Sequence, residues 1–178
     1  MKLITKIFLT SSLALLSLNA CKKKEDPAPT KPSKVFMATI DGKSWQSDPS
    51  DKFLVIDGDT AYGTDCSLEA DTLSILALRF SDTSGIIGQL VLTSGRTGTY
   101  SGTTTADKGL LYIQSLDLAG IFGALLGYTT TYNVNITKWD ATNKKFSGTY
   151  SLTMVPVSAG ATITVTNGEF IDVPYTLE

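Results

Sequence analysis

The 178-residue chain carries 15 basic and 17 acidic side chains, a net charge of −2, two cysteines and no histidine. Without histidine there is no Ser-His-Asp or Cys-His catalytic arrangement and no histidine ligand for zinc. Residues 1–34 hold Lys2, Lys6 and five further lysines against Glu25 and Asp26, which leaves 8 bases and 15 acids from Val35 onward, a net −7. A domain of that sign argues against nucleic acid as a partner.

Taken in chain order, Lys2 and Lys6 flank the start of an apolar run over 7–18 that only Thr and Ser interrupt. This is the pattern of a secretion leader, and it falls well short of the ~20 residues a membrane-spanning helix needs. The run ends Leu18-Asn19-Ala20-Cys21, which resembles the lipobox of bacterial lipoproteins: an apolar residue three positions before the cysteine and a small one directly before it. The resemblance implies removal of 1–20, a diacylglycerol thioether on Cys21 and an acylated amino terminus. Several acyl chains suffice for stable membrane anchoring. In such lipoproteins an aspartate after the cysteine favours the inner membrane, so Lys22 in that place implies the outer membrane.

Residues 22–34 contain five lysines, two acids and three of the six prolines, and almost nothing apolar. Such a segment cannot bury a core. It is expected to be a flexible tether reaching up to ~40 Å in polyproline geometry, with Lys22, Lys23 and Lys24 attracted to lipid headgroups. With Cys21 lipidated, Cys66 has no disulfide partner, and the 144 residues from Val35 onward must be held by packing, for which they are enough.

From Val35 the chain reads as one all-β domain. Threonine and glycine are frequent, apolar stretches are short, and no 3.6-residue period is sustained. Strands are predicted over 35–40, 53–57, 73–80, 86–93 and 110–115. In 73–80, Leu73, Ile75 and Ala77 alternate with Leu76, Leu78 and Phe80, the mark of a central strand covered on both faces. Residues 119–128 (AGIFGALLGY) are apolar and glycine-rich without alternation. They are expected to form a short helix or loop closing one end, the alternative being a lip around an apolar pocket or a surface for lipid or a partner. Next comes the clearest pair: Tyr132, Val134 and Ile136, then a turn over 140–143, then Phe146, Tyr150, Leu152 and Met154, all on even positions. Period two on both arms predicts a hairpin with one buried face. In the last strand, over 161–170, Ile163 and Val165 are odd and Phe170 even, so a one-residue slip is expected at Asn167-Gly168, where a bulge can be accommodated. About eight to ten strands result, closing as an antiparallel β-sandwich or barrel.

The segments FMATIDGKSWQS, YNVNITKWDATNKKFSGTYSLTM and ATITVTNGEFIDVPY resemble a family of small Bacteroidetes lipoproteins, grouped as domain of unknown function 6252. These share an early strand followed by Gly and an aromatic residue, and a late Asp-x-x-Asn-Lys, Gly-Thr-Tyr, Thr-Asn-Gly-x-Phe run. The resemblance covers most of the domain, departs over 58–128, and implies fold and compartment but no catalytic residue.

For chemistry the sequence offers little. Cys66 has no base beside it, and Asp65 would raise its pKa; a small buried hydrophobe is the expected role. Gly85-Ile86-Ile87-Gly88 lacks the Lys and Ser/Thr of a phosphate loop. Asp57, Asp59, Asp65, Glu69 and Asp71 gather around Gly58 and Gly63. They read either as solvated turns or as carboxylate ligands for calcium, without EF-hand spacing. Thr60 and Thr72, each after an aspartate and before Ala or Leu, resemble acceptors of Bacteroidetes O-glycosylation. Asn135-Ile136-Thr137 fits an N-glycosylation pattern but falls mid-strand in a chain read as bacterial. Trp45, Trp139 and the seven tyrosines are expected in core or rim packing, with sugar stacking the alternative. The expected function is a non-catalytic binding or accessory module of the cell envelope, with a protein, glycan or small molecule as ligand. Alternatives are a structural subunit of an envelope complex and a hydrolase using two carboxylates roughly 5–9.5 Å apart.

Overall fold

The computed structural model describes residues 34–56, 59–105, 108–114, 124 and 126–178. The chain divides into units 1–31 and 32–178, and the fold is that of the second. The leader, Cys21, most of the tether, Asp57 and most of 119–128 lie outside the described residues; of the last stretch, Ala124, Leu126 and Gly127 have helical backbone.

The strands are β1 (Phe36–Ile40), β2 (Lys43–Gln46), β3 (Phe53–Ile56), β4 (Asp59–Tyr62), β5 (Thr64–Glu69), β6 (Thr72–Arg79), β7 (Ser84–Val91), β8 (Gly98–Thr103), β9 (Gly109–Ile113), β10 (Tyr128–Asp140), β11 (Lys145–Pro156), β12 (Ile163–Pro174) and β13 (Thr176–Leu177). They form a six-stranded sheet, β2-β1-β12-β11-β10-β8, a five-stranded sheet, β13-β5-β6-β7-β9, and the separate hairpin β3-β4. The fold is all-β, as the alternation predicted, and of the two closures left open, sandwich or barrel, it is the sandwich. Among the described residues there are thirteen strands where about eight to ten were expected, because β2, β4, β5, β8 and β13 are too short or too polar to stand out. All pairings are antiparallel except β13 on β5.

The inner faces of both sheets meet in one core that includes Phe36, Leu73, Ile86, Leu110, Ile136, Phe146, Val165 and Phe170. Phe170 is its hub, with ring centroids 5.2 Å from Phe36, 5.1 Å from Phe146 and 6.2 Å from Tyr150. Tilted and offset rings at these separations add to simple burial. A Cβ on Gly148 would collide with the Asn135 carbonyl oxygen and stand 2.7 Å from the Phe170 ring. The glycine of the Gly-Thr-Tyr run is therefore where strand and aromatic core come too close for a side chain.

The β10-β11 hairpin has the predicted register, with Val134, Ile136, Phe146, Tyr150, Leu152 and Met154 buried. At its turn the Asp140 carboxylate accepts the Asn143 backbone N–H at 2.9 Å and its side-chain amide at 2.8 Å, and Lys144 takes a φ of 50°. The Asp-x-x-Asn-Lys run is thus a turn device. Three one-residue insertions then reset the inward phase, since each extra residue sends the following side chains to the other face. One is at Asn167, φ 51°, between the pairs Tyr150↔Gly168 and Leu152↔Val165, where the parity change placed it. The other two were not expected. Asp172, φ 48°, lies between Gly148↔Phe170 and Phe146↔Val173, and the shift between Ile136 and Lys138 brings Trp139 against Phe146 and Tyr175. Strand β6 is central, paired on both edges, and its two faces are covered unequally: Leu73, Ile75 and Ala77 are buried on one, while on the other Leu78 is buried and Ser74, Leu76 and Phe80 are half-buried.

A buried clasp joins the start of β1 to the base of β3-β4 and to the five-stranded sheet. The Thr64 hydroxyl donates to the Asp48 carbonyl at 2.7 Å. Its proton being used there, the Ser47 hydroxyl must donate to Thr64 Oγ1, 2.9 Å away, and it accepts the Phe36 N–H at 3.0 Å. Every member is satisfied, as burial requires. The Asp48 carboxylate adds the Phe80 N–H and Lys52 Nζ, both at 2.8 Å, and Gly63 packs so close that a Cβ there would lie 2.5 Å from Asp48 Cβ.

Candidate functional site

On the side of β5 and β6 away from the core, Asp65 is exposed and Ser67, Ser74 and Leu76 are half-buried, so this stretch is open to a ligand. Asp65 stands opposite Leu76 and Ser67 opposite Ser74, which makes a four-residue floor of one carboxylate, two hydroxyls and one apolar side chain. Tyr62 at the end of β4 rises on one side, and Thr176 and Glu178 on the other. Together these enclose an open groove of about 540 Å³. Its described lining contains two carboxylates, Asp65 and Glu178, and neither lysine nor arginine. Both acids are exposed, so water reaches them. A second, smaller hollow of about 320 Å³ on the outer face of β10-β12 is lined by Asn133, Thr149, Ser151, Asn167 and Glu169 and offers only polar contact.

Cys66 is 3% exposed. Burial pushes its thiol up to about 12, against the smaller opposing effect of the Leu76 backbone hydrogen bond; Asp65 adds a further, minor rise. The sulfur stays protonated at neutral pH and is no nucleophile, as its reading as a small hydrophobe implies. The Tyr150 hydroxyl is buried without a hydrogen-bond partner, and burial raises its pKa.

The carboxylates proposed for calcium do not converge where they are described. Asp65 and Glu69 share the outward row of β5, four residues and hence about 13 Å apart along the strand. Asp71 sits in the β5-β6 turn and takes Arg96 Nη2 at 3.4 Å. Asp57 is outside the described residues, and of Asp59 only the backbone, in β4, is described. Among the described residues no group of three His, Cys, Asp or Glu side chains is placed to hold a metal ion. Thr60 is exposed on β4, whereas Thr72 is half-buried at the start of β6 with neighbours on both edges, so of the two hydroxyls only Thr60 lies open. Asn135 is inside β10, paired to Thr149 and Thr99.

Neither tryptophan forms a sugar platform. Trp45 is 2% exposed; its Nε1 donates to Ser84 Oγ at 2.8 Å, and the Arg79 guanidinium lies 5.9 Å from its ring centroid. Ser84 Oγ donates a hydrogen bond to Asp82 Oδ1 at 2.6 Å, and Asp82 pairs with Arg79. Trp139 is packed by Phe146, Tyr175 and Arg96. The exposed aromatics are instead Phe53, 60%, and Tyr62, 43%, on the separate hairpin with Val55, 56%.

The chain matches no protein-family model, no curated protein and no solved structure. The site therefore rests on its own chemistry. Sequence reasoning missed Ser74, Thr176 and Glu178, and had Tyr62 only among the seven tyrosines of the sugar-stacking alternative. An outward hydroxyl on a strand leaves no signal beyond alternation, and these four meet only once β5 pairs with both β6 and β13. Among the described residues no helix is long and apolar enough to cross a membrane.

Proposed function

We propose that the chain is an envelope lipoprotein, anchored through Cys21 at the outer membrane, whose domain is a non-catalytic binding or accessory module with the β5-β6 groove as its ligand face. The observation that carries the ligand face is its lining: hydroxyls, an aromatic rim and two exposed carboxylates with no cation. A carboxylate-lined groove on a domain of net −7 repels anions and suits neutral hydroxyl-rich or cationic ligands, a glycan segment or a basic peptide. A general acid is a carboxyl held in a buried, apolar setting, whereas Asp65 and Glu178 are exposed. Support for the anchor comes from the lipobox-like Leu18-Asn19-Ala20-Cys21 and the resemblance to Bacteroidetes lipoproteins.

Three measurements test this. In a Gram-negative host, the wild-type chain should fractionate with the outer membrane and Cys21→Ser with the soluble fraction; firm membrane association of the variant would refute the anchor. On a panel of glycans and basic peptides, binding should be lost in Ser74→Trp, which fills the groove. Ester or glycoside turnover that disappears in Asp65→Asn or Glu178→Gln would overturn the non-catalytic reading.

A further inference from the structure

We propose that the β3-β4 hairpin rests on the lipid bilayer, with Phe53, Val55 and Tyr62 as the contacting face. The inference rests on the anchor reading above and adds to it a surface and its partner.

The register supplies the face. Phe53 pairs with Tyr62 and Val55 with Thr60, and directly paired residues project to the same side of a two-stranded ribbon. All four are exposed, while on the other side Leu54 is 38% exposed and Ala61 half-buried. The Phe53 and Tyr62 rings stand 6.2 Å apart, so the apolar surface is continuous. A two-stranded hairpin is marginal by itself, and among the described residues nothing covers this side.

The position of the hairpin supplies the occupant. The segment 22–34 joins the domain at Lys34, whose N–H bonds to the Ile171 carbonyl at 2.8 Å, two residues before Phe36. From Phe36 one hydrogen bond reaches Ser47 and a second reaches Thr64, which is two residues after Tyr62. The hairpin base is closed there by Gly63 N–H on the Lys52 carbonyl, 2.8 Å. The exposed face thus begins where the chain leaves for Cys21. The thirteen residues from Lys22 to Lys34 cannot reach beyond ~45 Å even when fully extended. Tethering turns weak contact into an intramolecular event at high effective concentration, and phenylalanine and tyrosine suit the polar-apolar boundary of a bilayer. Asp51 is exposed two residues before Phe53 and the domain is net −7, so the fitting surface is zwitterionic lipid and the contact is made by the flat of the hairpin.

The test uses the lipidated full chain in phosphatidylcholine vesicles. A nitroxide is placed at Val55→Cys or, as a control, at Val157→Cys; Val157 is 69% exposed and follows β11 at the end of the six-stranded sheet away from Phe36. Cys66 is buried and stays unlabelled. The Val55 label should lose several-fold in collisions with a water-soluble relaxer and gain with a lipid-soluble one, while the Val157 label keeps its aqueous access. If the protein sediments with vesicles and both labels stay equally wet, the inference is overturned and the anchor stands. If it does not sediment, the anchor reading fails and takes the inference with it. Protection of Val55 on the Cys21→Ser chain without vesicles would assign the face to a second copy instead and would also overturn the proposal.

Discussion

The β10-β11-β12 meander and the β3-β4 hairpin are both antiparallel ribbons that carry large apolar side chains, yet they do opposite things with them. In the meander every second side chain enters the core around Phe170. In the hairpin Phe53 and Val55 remain open to solvent, although Phe53-Leu54-Val55-Ile56 is the more continuously apolar stretch. Local pattern decides that a segment is a strand, and what lies across from it decides whether its side chains stabilise the fold. The meander faces a second sheet. The hairpin forms no part of either sheet, so its apolar side is free for contact outside the domain.

The largest test of this contrast is a pair of truncations. Phe170→Ala removes a side chain 1% exposed and should cost about 3–5 kcal/mol in urea unfolding. Phe53→Ala should stay within about 0.5 kcal/mol. Comparable losses from both would mean that the hairpin is part of the structural core and would remove the contrast. Next in size is Ser84→Ala, which strands the buried Trp45 indole N–H. An unsatisfied buried donor costs about 1–3 kcal/mol, to be read as a lowered urea midpoint and an altered near-ultraviolet tryptophan band.

The same meander marks how far the sequence was legible. Period two gave β10 and β11 because their inward residues are large and their outward ones are Thr, Ser and Asn. The slip in β12 was legible because Ile163, Val165 and Phe170 disagree in parity across an Asn-Gly pair. The phase changes at Asp172 and beyond Ile136 left no such mark: Val173 and Trp139 are single apolar residues whose parity means nothing until a partner strand fixes it. Strand β5 shows inward Thr64, Cys66 and Leu68, too few large residues to separate from a turn. The groove was the least legible feature, since its floor is made by the pairing of β5 with β6 and its far wall by β13, and no segment carries it alone.

The Asn167 bulge offers a finer test of the meander. A β-branched residue at φ 51° is strained, so Asn167→Val should lose about 1–2 kcal/mol while Asn167→Gly stays near wild type. Equal stability of the two in thermal unfolding would show that the strand resets its phase elsewhere. Smallest is the ion pair near Trp45. Arg79 beside Asp82 holds that carboxyl below its ordinary range, with Ser84 helping against a modest desolvation. The folded protein therefore binds this proton less readily than the unfolded chain, and the pair's stabilisation is present above the unfolded pKa of about 3.9 and lost as pH falls through the lower folded value. With Asp82 44% exposed, the effect should be under about 1 kcal/mol. The urea midpoints of wild type and Asp82→Asn should approach each other as pH is lowered from 7 toward that range; a gap that widened on acidification would reverse the assigned sign.

The measurement that bears most directly on the account is mass spectrometry of the mature protein isolated from the host membrane. The account predicts a chain that begins at Cys21 and carries a thioether-linked diacylglycerol and an amide-linked acyl group on that residue. A chain that still begins at Met1, or one cleaved to an unmodified Cys21, would contradict it.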